Sequence, residues 1–322
     1  MSTLRIAFLQ AQKNLYSALA QKYETQILIA RSLEQLREAR RALRAEERVT
    51  TPNSYVETLQ ESGAISLDLL HIPAGCFLMG SPAHEQDRSD NEGPQHEVEL
   101  REFFLARTPV TQAQWREVAQ WQPRPGDDPW PMELDPDPVA RLNRAERFLG
   151  DQRPVVNVSW HDAMEFCSRL SQRSGKTYTL PSEAQWEYAC RAGTTTPFHF
   201  GETISPELAN YDGNFTYSEG KKGEYRRQTT DVASFPANAW GLQDMHGNVW
   251  EWCTDDLHWS YEGAPTDGKP WLNEQATEKK KLLRGGSWSV LPVDCRSAFR
   301  LGSLPVNHYR NVGFRVCCLP QD

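Results

Sequence analysis

Residues Gly241-Leu-Gln-Asp-Met-His-Gly-Asn-Val-Trp-Glu-Trp252 decide the fold. The oxygen-bearing side chains Asp244, Asn248 and Glu251 alternate with the apolar Met245, Val249, Trp250 and Trp252, and glycines stand at 241 and 247. No three-and-four spacing runs through the stretch, so it reads as extended or turning backbone rather than helix. Two indole rings anchor it, and each such ring can bury about 150–250 Å². Two carboxylates seven apart with a glycine between them can converge on one hard cation, with turn carbonyls completing its shell. Satisfying buried backbone amides is the other role open to the same two carboxylates.

Outward from this stretch the pattern recurs. Trp115 closes Pro109–Trp115, Trp160 lies in Arg153–Ala163, Trp186 in Leu180–Gly193 and Trp288 in Arg284–Trp288. With Trp250 and Trp252 these rings sit beside turns or helix ends and are expected to pack the core. Two windows look helical: Ser159–Ser174, with a serine N-cap and Asp162 at N3, and Ser182–Ala192, with Gln185 at N3. Each ends near a glycine, Gly175 or Gly193. Expected strands are Leu70–Ile72, Cys76–Met79, His96–Leu100, Phe103–Arg107 and Gly313–Cys317. The proline-rich, acidic stretch Gln122–Pro138 reads as a surface loop. The fold class is α+β with much irregular backbone.

The chain has 322 residues, 39% of them hydrophobic, long enough to bury about three quarters of its unfolded surface without staples. Its net charge of −8 argues against nucleic acid or anionic membranes as main partners. No apolar run approaches a membrane span, and Gln10, Gln12, Lys13 and Asn14 interrupt any signal-peptide core, so the expected location is cytoplasmic. Seven scattered cysteines form no CxxC pair, which excludes a zinc ribbon or a thioredoxin-like site. Residues 1–50 read as a helical segment, with Leu15, Leu19, Tyr23 and Ile27 on one face. Packing on its own domain, self-association and effector docking all fit that face. Residues 51–66 read as a linker, with a short helix near Val56–Ser62, and 67–322 as one domain.

Taken in order, the motifs around Ile72–Ser81, Pro109–Trp115, Arg153–Ala163, Leu180–Gly193, Gly241–Trp252, Arg284–Trp288 and Gly313–Val316 closely resemble the formylglycine-generating enzyme (sulfatase-modifying factor) family, over about residues 67–318. The resemblance implies a variant of the C-type lectin fold: a small twisted sheet, two helices and long ordered loops. It also implies structural calcium. One ion would take the Asp244 and Glu251 side chains and the Gly247 and Val249 carbonyls. A second would take Asn210, the Tyr211 carbonyl, Glu224 and the Arg226 carbonyl, although Glu224 stands where the well-studied enzymes have Asp.

The family's oxidase chemistry needs two copper-binding cysteines five apart after the GGS[WY] motif. Here Val290 occupies the first position and only Cys295 is present, so no copper and no formylglycine synthesis are expected. Cys317 and Cys318 are neighbours on a strand, alternate faces, and cannot replace the pair. The related iron-dependent sulfoxide synthases draw a three-His site mainly from an added helical domain, and the first 66 residues hold no His. The alternatives to a noncatalytic role are an oxidase with an altered metal site at Cys295 and a regulatory interaction module.

The segment at about 287–316 also resembles the variable region of diversity-generating retroelement proteins, in which AAC codons become NNC codons. Such codons cannot encode Lys, Glu, Gln, Met or Trp, and none of these occurs from Ser289 to Val312. Ser289, Val290, Leu291, Val293, Asp294, Phe299, Leu301, Ser303, Leu304, Val306, His308 and Tyr309 follow neither strand nor helix period. They are expected to form an exposed face for a protein or peptide ligand. Gly285, Gly286, Trp288, Arg296, Arg300 and Arg315 are expected to form the frame.

Overall fold

The computed structural model describes residues 54–122, 133–273 and 279–320. The helix expected at 1–50 and most of the loop expected at Gln122–Pro138 lie outside them.

Fourteen regular elements are described. Strands β1 (Ser54–Thr58), β2 (Ser66–Ile72) and β5 (Phe103–Ala106) join β11 (Cys317–Leu319) and β6 (Thr177–Thr179) in a five-stranded sheet of order β1-β2-β5-β11-β6. Strands β7 (Trp250–Asp256), β8 (Lys281–Arg284), β9 (Leu301–Ser303) and β10 (Val312–Gly313) form a second sheet of order β10-β7-β8-β9. A two-stranded ribbon pairs β3 (Gly75–Met79) with β4 (His96–Leu100). The helices are α1 (Gln112–Ala119), α2 (Trp160–Ser174) and α3 (Glu183–Arg191). None of the described helices is long and apolar enough to cross a membrane.

Alternation along the first sheet gives it two buried faces. Leu67 and Leu69 of β2 join one apolar cluster with Trp115, Phe166 and Trp252, while Leu70 and Ile72 join another with Trp186 and Cys253. Cys317 and Cys318 split between these clusters in the same way. Five of the six anchoring indoles are buried; Trp160 is half-buried and donates its Nε1–H to the Cys253 carbonyl at 2.8 Å.

Helices α2 and α3 start and stop where capping chemistry places them. Ser159 and Ser182 accept from the N3 amides of Asp162 and Gln185, and the C-caps Gly175 and Ala192 are left-handed. Three expectations need correction. Val56–Ser62 is not helical: Tyr55 and Glu57 alternate with the exposed Ser54, Val56 and Thr58, and β1 pairs along β2. The stretch read as a linker therefore contains the first strand. Helix α1 was not expected, although Thr111 and Gln114 form its capping box, because eight residues show too little periodicity. Finally, Gly313–Cys317 is not one strand. β10 pairs with β7, and β11 crosses to the five-stranded sheet. Between them Arg315 turns inward to reach Glu251.

Candidate functional site

Four buried arginines hold the C-terminal segment from beneath. Arg284, ending β8, sends Nη2 to Glu187 Oε2 at 2.5 Å and Nη1 to Glu183 Oε1 at 3.1 Å. Arg300 grips Glu183 with Nε at 2.5 Å and Nη2 at 2.9 Å, and its Nη1 donates to the carbonyls of Asn91 and His258. Arg296 joins Glu85 at 2.5 Å and Glu92 at 2.6 Å and 2.8 Å. Arg315 lays its fork on Glu251 at 2.6 Å and 2.7 Å. Glu183 and Glu187 are four apart on α3, so a single helix face supplies both acceptors. Burial alone would raise the Glu183 carboxyl; Arg300 and Arg284 overcome it and hold it below the ordinary range. At Glu85 burial outweighs Arg296 and the carboxyl is raised. Such pairs contribute little net stability but fix geometry, because breaking one strands a charge at a cost of about 3–5 kcal/mol.

The frame needs its glycines. Gly285 and Gly286 have φ of 94° and 75°, and a Cβ on Gly286 would lie 2.4 Å from the Cys295 sulfur. Cys295 is fully buried, and burial pushes its thiol well up. Val290 is half-buried against both neighbouring apolar clusters.

Of the twelve residues expected on an exposed face only five are exposed, and Val290, Val293 and Phe299 instead pack against apolar clusters beneath. Leu291, Leu301, Val306, His308 and Tyr309 are exposed, Val306 by 59%. Ser289, Val290, Val293, Asp294, Phe299 and Leu304 are half-buried. Ser303 departs from the expectation: it is buried, and Asn307 donates to its hydroxyl at 3.2 Å, so it belongs to the frame. The exposed tip is anchored by its backbone, since the Pro305 and Tyr309 carbonyls accept from the Trp160 and Asn157 amides at 3.0 Å and 2.9 Å. His308 Nε2 lies 3.0 Å from Asp162 Oδ2.

The calcium ligands divide. Asp244 is buried; its Oδ2 accepts from the Ala233 amide at 2.8 Å, and its Oδ1 has no partner. Burial and the nearby Glu251 charge raise its carboxyl to about 6, against Arg315 and the Ala233 amide. Glu251 accepts from Arg315 and from the Trp186 indole at 2.8 Å, so Arg315 neutralises one of two buried carboxylates. A cation beside Asp244 would neutralise the other, and the unpartnered Asp244 Oδ1 is a donor it could take, whereas both Glu251 oxygens are engaged by Arg315 and Trp186. The second set fits less well. Asn210 Oδ1 is buried and unpartnered, but the Glu224 carboxylate is exposed, 3.4 Å from the Arg226 guanidinium. Among the described residues no three His, Cys, Asp or Glu side chains gather into a metal site.

Sequence reasoning overlooked Trp259, which is 75% exposed. It follows His258, whose carbonyl accepts from Arg300, and Leu257, which packs on Gly302 of β9, so these contacts also position this exposed ring. A tryptophan in a polar stretch was its only signal.

The profile of the sulfatase-modifying factor enzyme 1-like domain matches residues 58–318. The chain belongs to the sulfatase-modifying factor family. Family relatives include the formylglycine-generating enzyme of Mycobacterium tuberculosis, 32% identical over 79% of this chain and 98% of that protein. Another is the serine/threonine-protein kinase pkn1 of Chlamydia caviae, 31% identical over 81% of this chain and 40% of that protein. The chain thus spans less than half of that kinase. Among solved structures, PvdO from Pseudomonas aeruginosa aligns with a TM-score of 0.65 at 30% identity, covering 84% of this chain and all of PvdO. Treponema denticola variable protein 1 aligns at 0.60 and 23% identity, with the same coverage, and so shares the fold of this sulfatase-modifying-factor member.

Proposed function

We propose that this chain is a noncatalytic ligand-binding protein: a C-type lectin scaffold whose segment at about 287–316 is diversified by a retroelement to recognise a protein or peptide. The observation that carries the reading is the division of labour within one segment. Arg284, Arg296, Arg300 and Arg315 are buried and ion-paired, while Leu291, Leu301, Val306, His308 and Tyr309 face water between them. Rigid backbone with replaceable side chains suits recognition, and exposed aliphatic and aromatic groups suit a protein better than a sugar. The fold is shared with a protein named as variable. A catalytic role is disfavoured because Val290 replaces one sulfur of the family's copper pair and burial raises the Cys295 thiol. Residues 1–50 then serve as the constant part, for self-association or effector docking in the cytoplasm.

Sequencing the surrounding locus tests the reading. An adenine-rich near-copy of the codons for 284–316 beside a reverse transcriptase gene is expected. A locus with neither contradicts diversification.

A further inference from the structure

A cluster of arginines outside the frame has no intramolecular work of the frame's kind. Trp288 is fixed by its amide, which donates to the Asn248 carbonyl at 3.0 Å, and by its indole, which donates to the Arg310 carbonyl at 3.4 Å. Phe148 backs the ring at 5.5 Å, and Tyr225 stacks on it at 6.5 Å and 22°. The Arg310 guanidinium lies 5.4 Å from the Trp288 ring centre, and that of Arg227 lies 5.3 Å from the Tyr225 ring. Burial raises the Tyr225 phenol, and Asp212 adds to the rise while Arg227, Arg310 and Arg147 oppose it; Arg147 directly precedes Phe148, the ring that backs Trp288. Arg227 and Arg310 are exposed and Arg147 is half-buried. Among the described residues none of the three forms an ion pair, whereas Arg284, Arg296, Arg300 and Arg315 all do.

We propose that Arg147, Arg227 and Arg310, gathered around the Tyr225–Trp288 ring pair, form a constant carboxylate-recognition site that docks an acidic segment of the protein ligand beside the displayed side chains. This rests on the ligand-binding reading above and adds the ligand's chemistry to it. Arginine presents a planar fork that matches carboxylates two bonds at a time, and stacking on an aromatic face holds that fork in place before the ligand arrives. Arg310 directly follows the displayed Tyr309 in sequence, so constant charge and variable surface adjoin. Three cations on a chain of net charge −8 suit a few carboxylates set among apolar contacts. A nucleic acid would need a groove of positive charge that tracks its backbone.

Fluorescence anisotropy on the full chain tests this with labelled hexaglutamate, labelled hexalysine and a labelled single-stranded oligothymidylate. Hexaglutamate is expected to bind saturably and hexalysine not at all. The double variant Arg227→Gln/Arg310→Gln should weaken hexaglutamate by about tenfold or more with an unchanged melting temperature, and Arg227→Lys/Arg310→Lys should restore part of it. Replacing Leu78, an exposed residue of β3 away from the displayed segment, by Ser should leave it unchanged. Absent saturation, or equal binding by the Gln variant, overturns the inference, and oligothymidylate binding as tightly as hexaglutamate overturns it in favour of nucleic acid. Each of these results leaves the diversified-face reading standing, because that reading is tested at the locus and at the displayed positions.

Discussion

Replacing Arg296 by Met should cost the protein a large part of its stability, although the position lies inside the segment read as variable. The guanidinium is fully buried and is shared by Glu85 and Glu92, themselves buried. Methionine fills much of the same volume but leaves two carboxylates without their cation. Breaking such a pair from one side costs about 3–5 kcal/mol. That is a large fraction of the roughly 5–15 kcal/mol by which domains are stable. The loss should also depend on pH. Glu85 is already raised by burial with Arg296 opposing, and without Arg296 it rises further. A raised carboxyl contributes stability at low pH and loses it as pH climbs through the folded value, so the variant's deficit should grow as pH rises from acid to neutral. Urea denaturation followed by tryptophan fluorescence measures this. Adding Glu85→Gln and Glu92→Gln to the variant should recover much of the loss, because the stranded charges are gone. By contrast, Val306→Ser should stay within about 0.5 kcal/mol of the parent. An Arg296→Met cost below about 1 kcal/mol at neutral pH would refute the frame argument.

Asp255 is buried and accepts from the Glu183 and Trp271 amides, and burial with the Glu183 charge raises it to about 7. Its stabilising protonated form is lost as pH rises, so unfolding free energy should fall by about 3 kcal/mol between about pH 5 and pH 8, and Asp255→Asn should flatten the urea-midpoint profile. Calcium at about a hundred times its dissociation constant should add about 2.7 kcal/mol, read as a higher melting temperature than in EDTA. Asp244→Asn should lose most of that difference, and identical wild-type curves in calcium and EDTA would count against the site. Titration with copper(I) should show no stoichiometric site that Cys295→Ser removes; a one-equivalent site abolished by that change would revive the oxidase alternative.

What the sequence revealed depended on how local the controlling physics was. Capping residues and their glycines placed α2 and α3 closely, because N-caps and left-handed C-caps are set within a few residues. Short apolar runs between turn signals placed β3, β4 and β5 closely, but only the last three residues of β2, whose start lay in the stretch read as a linker. β1 and α1 were missed because each is short: five residues of β1 and eight of α1 show too little periodicity, even though β1 pairs with the nearby β2 and α1 carries its own Thr111–Gln114 capping box. The frame arginines were visible as spaced motif letters, but their acceptors were not. Arg296 meets Glu85 and Glu92 from more than two hundred residues away. Nor could the sequence separate Ser303, which is buried, from its exposed neighbours, because three residues of β9 pairing with β8 decide it. The arginine cluster at Tyr225 and Trp288 is wholly tertiary. Its three members come from a short 3-10 helix and two loops, and nothing in their local sequence distinguishes them from solvated surface cations.

The central claim is that one short segment combines an irreplaceable frame with a replaceable face, and a pair of surface-displayed libraries tests it most directly. One library randomises Leu291, Leu301, Val306, His308 and Tyr309; the other randomises Arg284, Arg296, Arg300 and Arg315. Protease resistance should persist in most members of the first and in very few of the second. If the first library collapses as completely as the second, the exposed side chains are structural and the account fails.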